Sequence, residues 1–310
     1  IRLVGSEMCI RDSNMALPSY ASPVQRTYYY FYLFFCTVVF FFLIAPLFAI
    51  IPISFSVSPF MVFTEGMLAW PPDPEAWSIR WYKNMIGDCS ADVVSSTVPC
   101  STKWMVGTVN SFYIGIIATV IATALGTLAA LGLSRPHMPY KGLIMAILIS
   151  PMIVPLIITA AGMFFFYARI NLVYTFTGVI LAHVALATPF VVITVTATLV
   201  GFDMNMVKAA QSLGAKPMRT FFKVIMPLIL PGIISGALFA FITSFDEVVI
   251  VMFMASIDQL TIPKQMWAGI RQEISPVILC MATCLVLLSI FLLTTVELPV
   301  SYTHLTLPTT

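Results

Sequence analysis

A helix needs about 20 predominantly apolar residues to cross the hydrocarbon core of a bilayer. This 310-residue chain contains six such stretches, at 30–55, 105–133, 142–168, 174–200, 228–254 and 276–296. In lipid only helices and closed barrels satisfy their own backbone polar groups, and apolar runs of this length read as helices. Composition agrees: 60% of residues are hydrophobic and 9% are charged, against about 25% charged in an ordinary soluble domain. The fold class that follows is all-α, a polytopic membrane protein. Prolines inside the runs (Pro46, Pro155, Pro189 and Pro231) are compatible with spanning helices, because neighbouring helices can take up the freed carbonyls. The first run is too long and too aromatic for a cleaved signal peptide, with Arg26 just before it.

The two ends differ in character from the rest. Residues 1–14 and 300–310 read as a foreign leader and tail, which leaves 15–299 as the membrane domain. Basic residues resist translocation, so their placement sets orientation. With the N-terminus inside, the cytoplasmic pieces hold Arg26, Arg135, Lys141, Lys208, Lys216, Arg219 and Lys223, with Asp203 as almost their only acid. The outer pieces carry basic residues diluted over more chain and offset by acids. Both termini are therefore expected in the cytoplasm. A net charge of +2 is too small to argue for nucleic acid. The outer segment 56–103 is short for an independent core and is expected to pack as a cap on the bundle. It holds Cys89 and Cys100, which face an oxidising compartment in this orientation and can form a disulfide. Cys36, Cys280 and Cys284 fall in spans, where a thiol serves as small apolar filler.

Small residues recur at every fourth position of the second span, at Ala118, Ala122, Gly126 and Ala130. Such a ladder lets a neighbouring helix approach closely, and packing within the chain is its expected use. Between the fourth and fifth spans lies KAAQSLGAKPMRTFFKVIMPLILPG, a basic hook in an otherwise sparsely charged chain. It reads as a short amphipathic helix over 203–213 with Asp203 as N-cap, stopped by Gly214 and Pro217, and a second helix from Pro217 to Pro227.

The order Lys208-Ala209-Ala210-x-x-x-Gly214, nine residues, then Val224-x-Met226-Pro227 resembles the permease signature of binding-protein-dependent ABC importers. In that family the pattern is Glu-Ala-Ala-x-x-x-Gly, then Ile-x-Leu-Pro, in the cytoplasmic loop before the penultimate span. The resemblance implies the type I permease fold with six transmembrane helices. It also implies that Lys208, Ala209, Ala210, Gly214, Val224, Met226 and Pro227 form the coupling helices that dock on a separate ATPase. Lys208 departs from the pattern, since it reverses the usual charge.

No Gly-x-x-x-x-Gly-Lys-Ser/Thr stretch occurs in the chain, so ATP and Mg are expected on a partner chain and no cofactor on this one. The implied partners are an ABC ATPase dimer, a second and different permease, an extracytoplasmic solute-binding protein and membrane lipid. The implied location is a bacterial inner membrane.

The fifth span contains SFDEVVIVMF, which sets Asp246 and Glu247 side by side in an apolar run. A charge at mid-membrane costs about 2.5–3.5 kcal/mol on insertion scales, so such a pair invites a functional reading. Both acids are expected to serve the substrate pathway; neighbours on a helix point about 100° apart, so one can face it while the other meets a neighbouring helix, and the structural alternative is a hydrated interfacial pair or a helix-packing hydrogen bond. This stretch, with TIPKQMWAGIRQEISP, resembles the second permease of spermidine/putrescine-type importers, which implies a polyamine as solute. Related permeases for iron, opines, phosphonates or thiamine remain alternatives, as does a self-sufficient ion-coupled carrier or channel. His183 in the fourth span reads as a packing residue. The three histidines are dispersed and no metal-ligand spacing occurs, so an enzyme reading is weak.

Overall fold

The structure is a computed structural model that describes residues 22–88, 90, 102–135, 137–201, 205–272 and 275–305, with side chains as far as Thr294 except Leu293. It separates into two units, Ile1–Pro52 and Ile53–Thr310. In chain order its helices are α1 (Pro23–Ser54), α2 (Glu65–Leu68), α3 (Arg80–Met85), α4 (Lys103–Leu133), α5 (Lys141–Ile153), α6 (Leu156–Arg169) and α7 (Phe176–Val200). There follow α8 (Asn205–Ser212), α9 (Pro217–Thr220), α10 (Met226–Phe245), α11 (Val249–Met254), α12 (Ile262–Gln272) and α13 (Val277–Leu305). Cys89 and Cys100, and the expected N-cap Asp203, lie outside the described residues.

Local sequence explains most of these boundaries. α1 opens with a capping box: the Gln25 amide donates to the Ser22 hydroxyl at 3.3 Å and the Ser22 amide donates to the Gln25 side chain at 3.0 Å. Pro23 follows at the first helical position, where its missing N–H is no loss. α7 is capped by Thr175, whose hydroxyl accepts from the Gly178 amide at 3.0 Å. Between α9 and α10, residues Phe221–Ile225 form a π turn, so the helix runs without interruption over Pro217–Phe245. The wider turn accommodates Pro227, whose ring would otherwise collide with the carbonyl one turn earlier.

Two expected spans are not single helices. The third, expected at 142–168, is bent by 103° between α5 and α6. Pro155 denies Val154 the helical region, and Val154 sits at φ −70° and ψ 136°. The fifth, expected at 228–254, starts earlier, at Pro217, and breaks after Phe245 before resuming as α11. The second expected hook helix, from Pro217 to Pro227, is therefore the first part of this long helix. Among the described residues four helices are long and apolar enough to cross a membrane alone, against six expected spans, and the bent pair is a fifth only if its two halves cross together rather than re-enter. α13 adds an apolar stretch, Val277–Leu292, and stays helical to Leu305, beyond the expected end at 296.

In the second unit α7 is the central element, packed on both α4 and α10. Ala118, Ala122, Gly126 and Ala130 are all buried, so the ladder serves packing within the chain. A Cβ on Gly126 would lie 2.6 Å from Val191 Cβ, so α4 meets α7 at this point with no room for a side chain. α10 does the same from the other flank, where a Cβ on Gly236 would be 3.1 Å from Val191 Cα. Phe112 of α4 packs at a tilt against Phe241 and edge-on against Phe245 of α10, at ring separations of 6.3 and 5.2 Å. The 56–87 loop packs through α3 onto α13, as expected of a cap. Its anchor is the fully buried Trp81, whose indole N–H donates to the Ser56 carbonyl at 2.8 Å.

Gly126→Leu is expected to force α4 and α7 apart and destabilise the fold by about 1–3 kcal/mol. Ala124→Leu, on an exposed position one turn-half away, should be near neutral. Thermal unfolding of the purified protein in detergent distinguishes the two.

Candidate functional site

Two regions carry the candidate site residues, one at each end of the Pro217–Phe245 helix. The first is the hook. α8 ends in a double carbonyl cap in which the Gly214 amide donates to Gln211 O at 2.9 Å and the Ala215 amide donates to Ala210 O at 3.1 Å. This closure needs a left-handed residue, and Gly214 has φ +80° as the sequence suggests. Pro217 then starts α9, and α8 folds back against α9 and the π turn. Val207 is buried under the hook and anchors it, whereas Lys208, Ala209, Gly214 and Pro227 are exposed. Ala210, Val224 and Met226 are half-buried. Leu213 is 89% exposed at the tip, with Met206 and Met218 also exposed, so the hook offers an apolar knob with basic residues beside it.

The second region is the break after Phe245. The adjacent acids part company here. Asp246 is exposed and still in the last turn of α10, its amide donating to Ile242 O at 3.0 Å. Glu247 is only 8% exposed, and its carboxylate Oε1 accepts from the Ile250 amide at 2.9 Å, at the start of α11. The expectation of two acids on one continuous helix, about 100° apart, is thus replaced by two acids on either side of a chain break. An apolar run could not reveal this, because Glu247 finds its donor only once the helix has opened.

Several side chains that sequence reasoning passed over build the surroundings of the break. Ser244 lies two residues before Asp246 and is held by the fully buried His183 of α7, Nδ1 to Oγ at 2.8 Å. His183 is thus packed in the core as expected, although its buried Nε2 has no partner among the described residues. At the far end of α11, Lys264 Nζ donates to Ala255 O at 2.9 Å and Val251 O at 3.4 Å. Loss of solvent pulls the Lys264 ammonium below its usual pKa range. The Tyr174 amide donates to Met254 O at 2.9 Å. The 255–262 loop is tied to α4: Asn110 Nδ2 donates to the Asp258 and Leu260 carbonyls at 2.8 and 2.9 Å, and Ser111 Oγ accepts from the Ile262 amide at 2.9 Å. Among the described residues no group of three His, Cys, Asp or Glu could hold a metal ion.

Residues 122–298, which contain both the hook and the break, match the family described as binding-protein-dependent transport system inner membrane component. The chain belongs to this family. It is similar to the spermidine/putrescine transport system permease protein PotC of Haemophilus influenzae, 30% identical over 184 residues that cover 59% of this chain and 72% of that one. It is likewise similar to the putrescine transport system permease protein PotI of Escherichia coli K12, 28% identical over 249 residues, 78% of this chain and 80% of that one. Among solved structures it is similar to a bacterial ABC transporter involved in import of the acidic polysaccharide alginate. That likeness has a TM-score of 0.70 at 13% identity and covers 91% of this chain and 99% of the other, so it shows a shared fold. The chain is therefore a multi-pass inner-membrane permease of the ABC importer kind, with the type I permease fold, and a transport subunit rather than a catalytic protein. As such it belongs in a multi-subunit assembly that includes another permease.

Asn110→Ala removes both bonds to the 258–260 carbonyls and is expected to weaken the loop by about 1–3 kcal/mol. Val109→Ala, on an exposed neighbour, should not. Amide hydrogen exchange of the 255–262 segment in the purified protein reads the difference directly.

Proposed function

We propose that this chain forms the translocation pathway of a polyamine importer in a bacterial inner membrane, with both termini in the cytoplasm. ATP and Mg bind to a partner ATPase dimer. A second, different permease completes the pathway, and an extracytoplasmic binding protein delivers the solute. Two of the relatives are named for spermidine or putrescine. The observation that carries the solute class is the exposed carboxylate of Asp246 at a break in a spanning helix. A linear multivalent amine needs a carboxylate that it can reach, and one in contact with water holds it loosely enough to let it go.

The ATPase contact is the hook. Its exposed Leu213, Met206 and Met218 supply an apolar tip, and the small Ala209 and Gly214 allow close approach of a groove. Lys208 is exposed as well, so its reversed charge meets the partner directly and calls for a compensating acid there. Pro227 and Met226 lie just past the π turn, where the hook becomes the long helix.

Two experiments test the reading. In the assembled complex reconstituted into proteoliposomes, Asp246→Asn should lower uptake of labelled spermidine at least about tenfold while basal ATPase activity persists; parental uptake in this variant would remove the carboxylate from the pathway. A Cβ on Gly214 would meet nothing within 4 Å, so Gly214→Val acts only through its left-handed backbone and should leave the spans intact. Its expected outcome is weakened ATPase binding and loss of coupled uptake, measured by co-purification and transport. Undiminished binding and uptake would place the contact elsewhere.

A further inference from the structure

The two acids of the break are chemically alike and one residue apart, yet only Asp246 is exposed. Glu247 spends its carboxylate on the first turn of α11. That helix has six residues, too few to persist without outside help. Its help comes from a hydrogen-bond acceptor at one end and a donor at the other. A carboxylate meets the amide-rich N-terminus, and the Lys264 ammonium meets the carbonyl-rich C-terminus. Tyr174 takes a further carbonyl, Met254 O, through its amide. The anchors are themselves fixed. Lys264 sits two residues after Ile262, which Ser111 of α4 holds by its amide, and α11 buries Ile250, Val251 and Met254 in the contact that it makes with α6 and α7.

We propose that Glu247 and Lys264 are positioning residues that clamp α11 from its two ends and so hold the 246–248 break in the shape that presents Asp246 to the solute. The inference rests on the polyamine reading for its transport consequence, but the clamp itself does not. What Glu247 contributes is a hydrogen-bond acceptor, and what Lys264 contributes is a set of donors; neither contributes charge to the pathway. This separates the clamp from the reading in which Glu247 is a second pathway acid. A glutamine keeps the acceptor oxygen and loses the charge, and an arginine keeps donors at the other end.

The test uses full-length variants in the reconstituted complex, with labelled spermidine as the probe and initial rates taken across concentration. Glu247→Gln and Lys264→Arg should transport within about threefold of the parent. Glu247→Ala and Lys264→Ala should each raise the half-saturating spermidine concentration about tenfold, the size expected when a helix cap is lost, with a smaller effect on the maximal rate. Their double variant should be little worse than either alone, since both loosen one element. Removing a cation near a cation pathway would by simple electrostatics raise uptake, so a fall with Lys264→Ala is specific to the clamp.

Hydrogen exchange of the 249–255 amides in the same complexes gives a second readout. It should accelerate about tenfold in the alanine variants and stay parental in Glu247→Gln and Lys264→Arg. Loss of uptake in Glu247→Gln equal to that in Glu247→Ala, with exchange unchanged in both, overturns the proposal and returns Glu247 to the pathway. If the parent takes up no spermidine, the polyamine reading fails and exchange alone decides: acceleration in the alanine variants upholds the clamp, and parental exchange overturns it. If the alanine variants do not assemble, the glutamine and arginine variants still decide, because parental exchange and assembly in both uphold it and their failure overturns it.

Discussion

Backbone amides and carbonyls in an apolar slab have no water to turn to, and each one left without a partner costs several kcal/mol. Within a helix the requirement is met by the helix itself. It returns wherever a helix ends, and in this chain the ends are where the chemistry gathers. The break between Val154 and Pro155, the closure at Gly214 and the gap at 246–248 each expose carbonyls or amides that need partners. At Gly214 the backbone supplies them locally, through the Gln211 and Ala210 carbonyls. At α11 it cannot do so alone, because a six-residue helix has few internal bonds, and Glu247, Lys264 and Tyr174 supply partners at its two ends.

Close approach of the backbones follows from the same surroundings. Lipid tails are as apolar as leucine, so helices gain little by hiding leucines from them and gain more from dense packing. α7 meets α4 at Gly126 and α10 at Gly236, and both contacts centre on Val191. A valine gripped from two sides by glycines leaves little freedom for sliding. α4, α7 and α10 are thus held as one body, and Asp246 sits at its rim, with Ser244 and His183 fastening the last turn of α10 to α7.

Four of the six expected spans were legible as single long apolar helices, because length and hydropathy report the bilayer directly. The hook was legible too: Gly214 and Pro217 are local signals, and a left-handed glycine and a first-turn proline are what the structure has. The breaks were not. Pro155 in an apolar run has two outcomes, a tolerated kink or a 103° bend, and the choice depends on the helices around it. The two acids looked equivalent because the partners that distinguish them are remote in sequence or arise only once the break exists. Lys264 gave no local signal for the same reason, since its acceptors, Val251 and Ala255, lie 13 and 9 residues away across a turn.

The hook and the break stand at opposite ends of one helical run, Pro217–Phe245, whose 29 residues span about 43 Å at the usual rise. In the proposed reading this run is the mechanical link between the ATPase and the solute. A helix transmits tilt well only if it is stiff, and the π turn at Phe221–Ile225 and Pro231 are its two weak points. Both lie toward the hook end of the helix, where Ile229 is still fully buried in the core. Beyond Pro231 the helix is gripped at Gly232 by Thr198, at Gly236 by Val191 and at Ser244 by His183, so the part that carries Asp246 is fastened to α7 at three points. In the proposed reading a displacement of the hook reaches the carboxylate to the extent that the π turn and Pro231 transmit it, and it then moves the three-helix body as a whole, provided that α11 beyond the break stays clamped and does not absorb it.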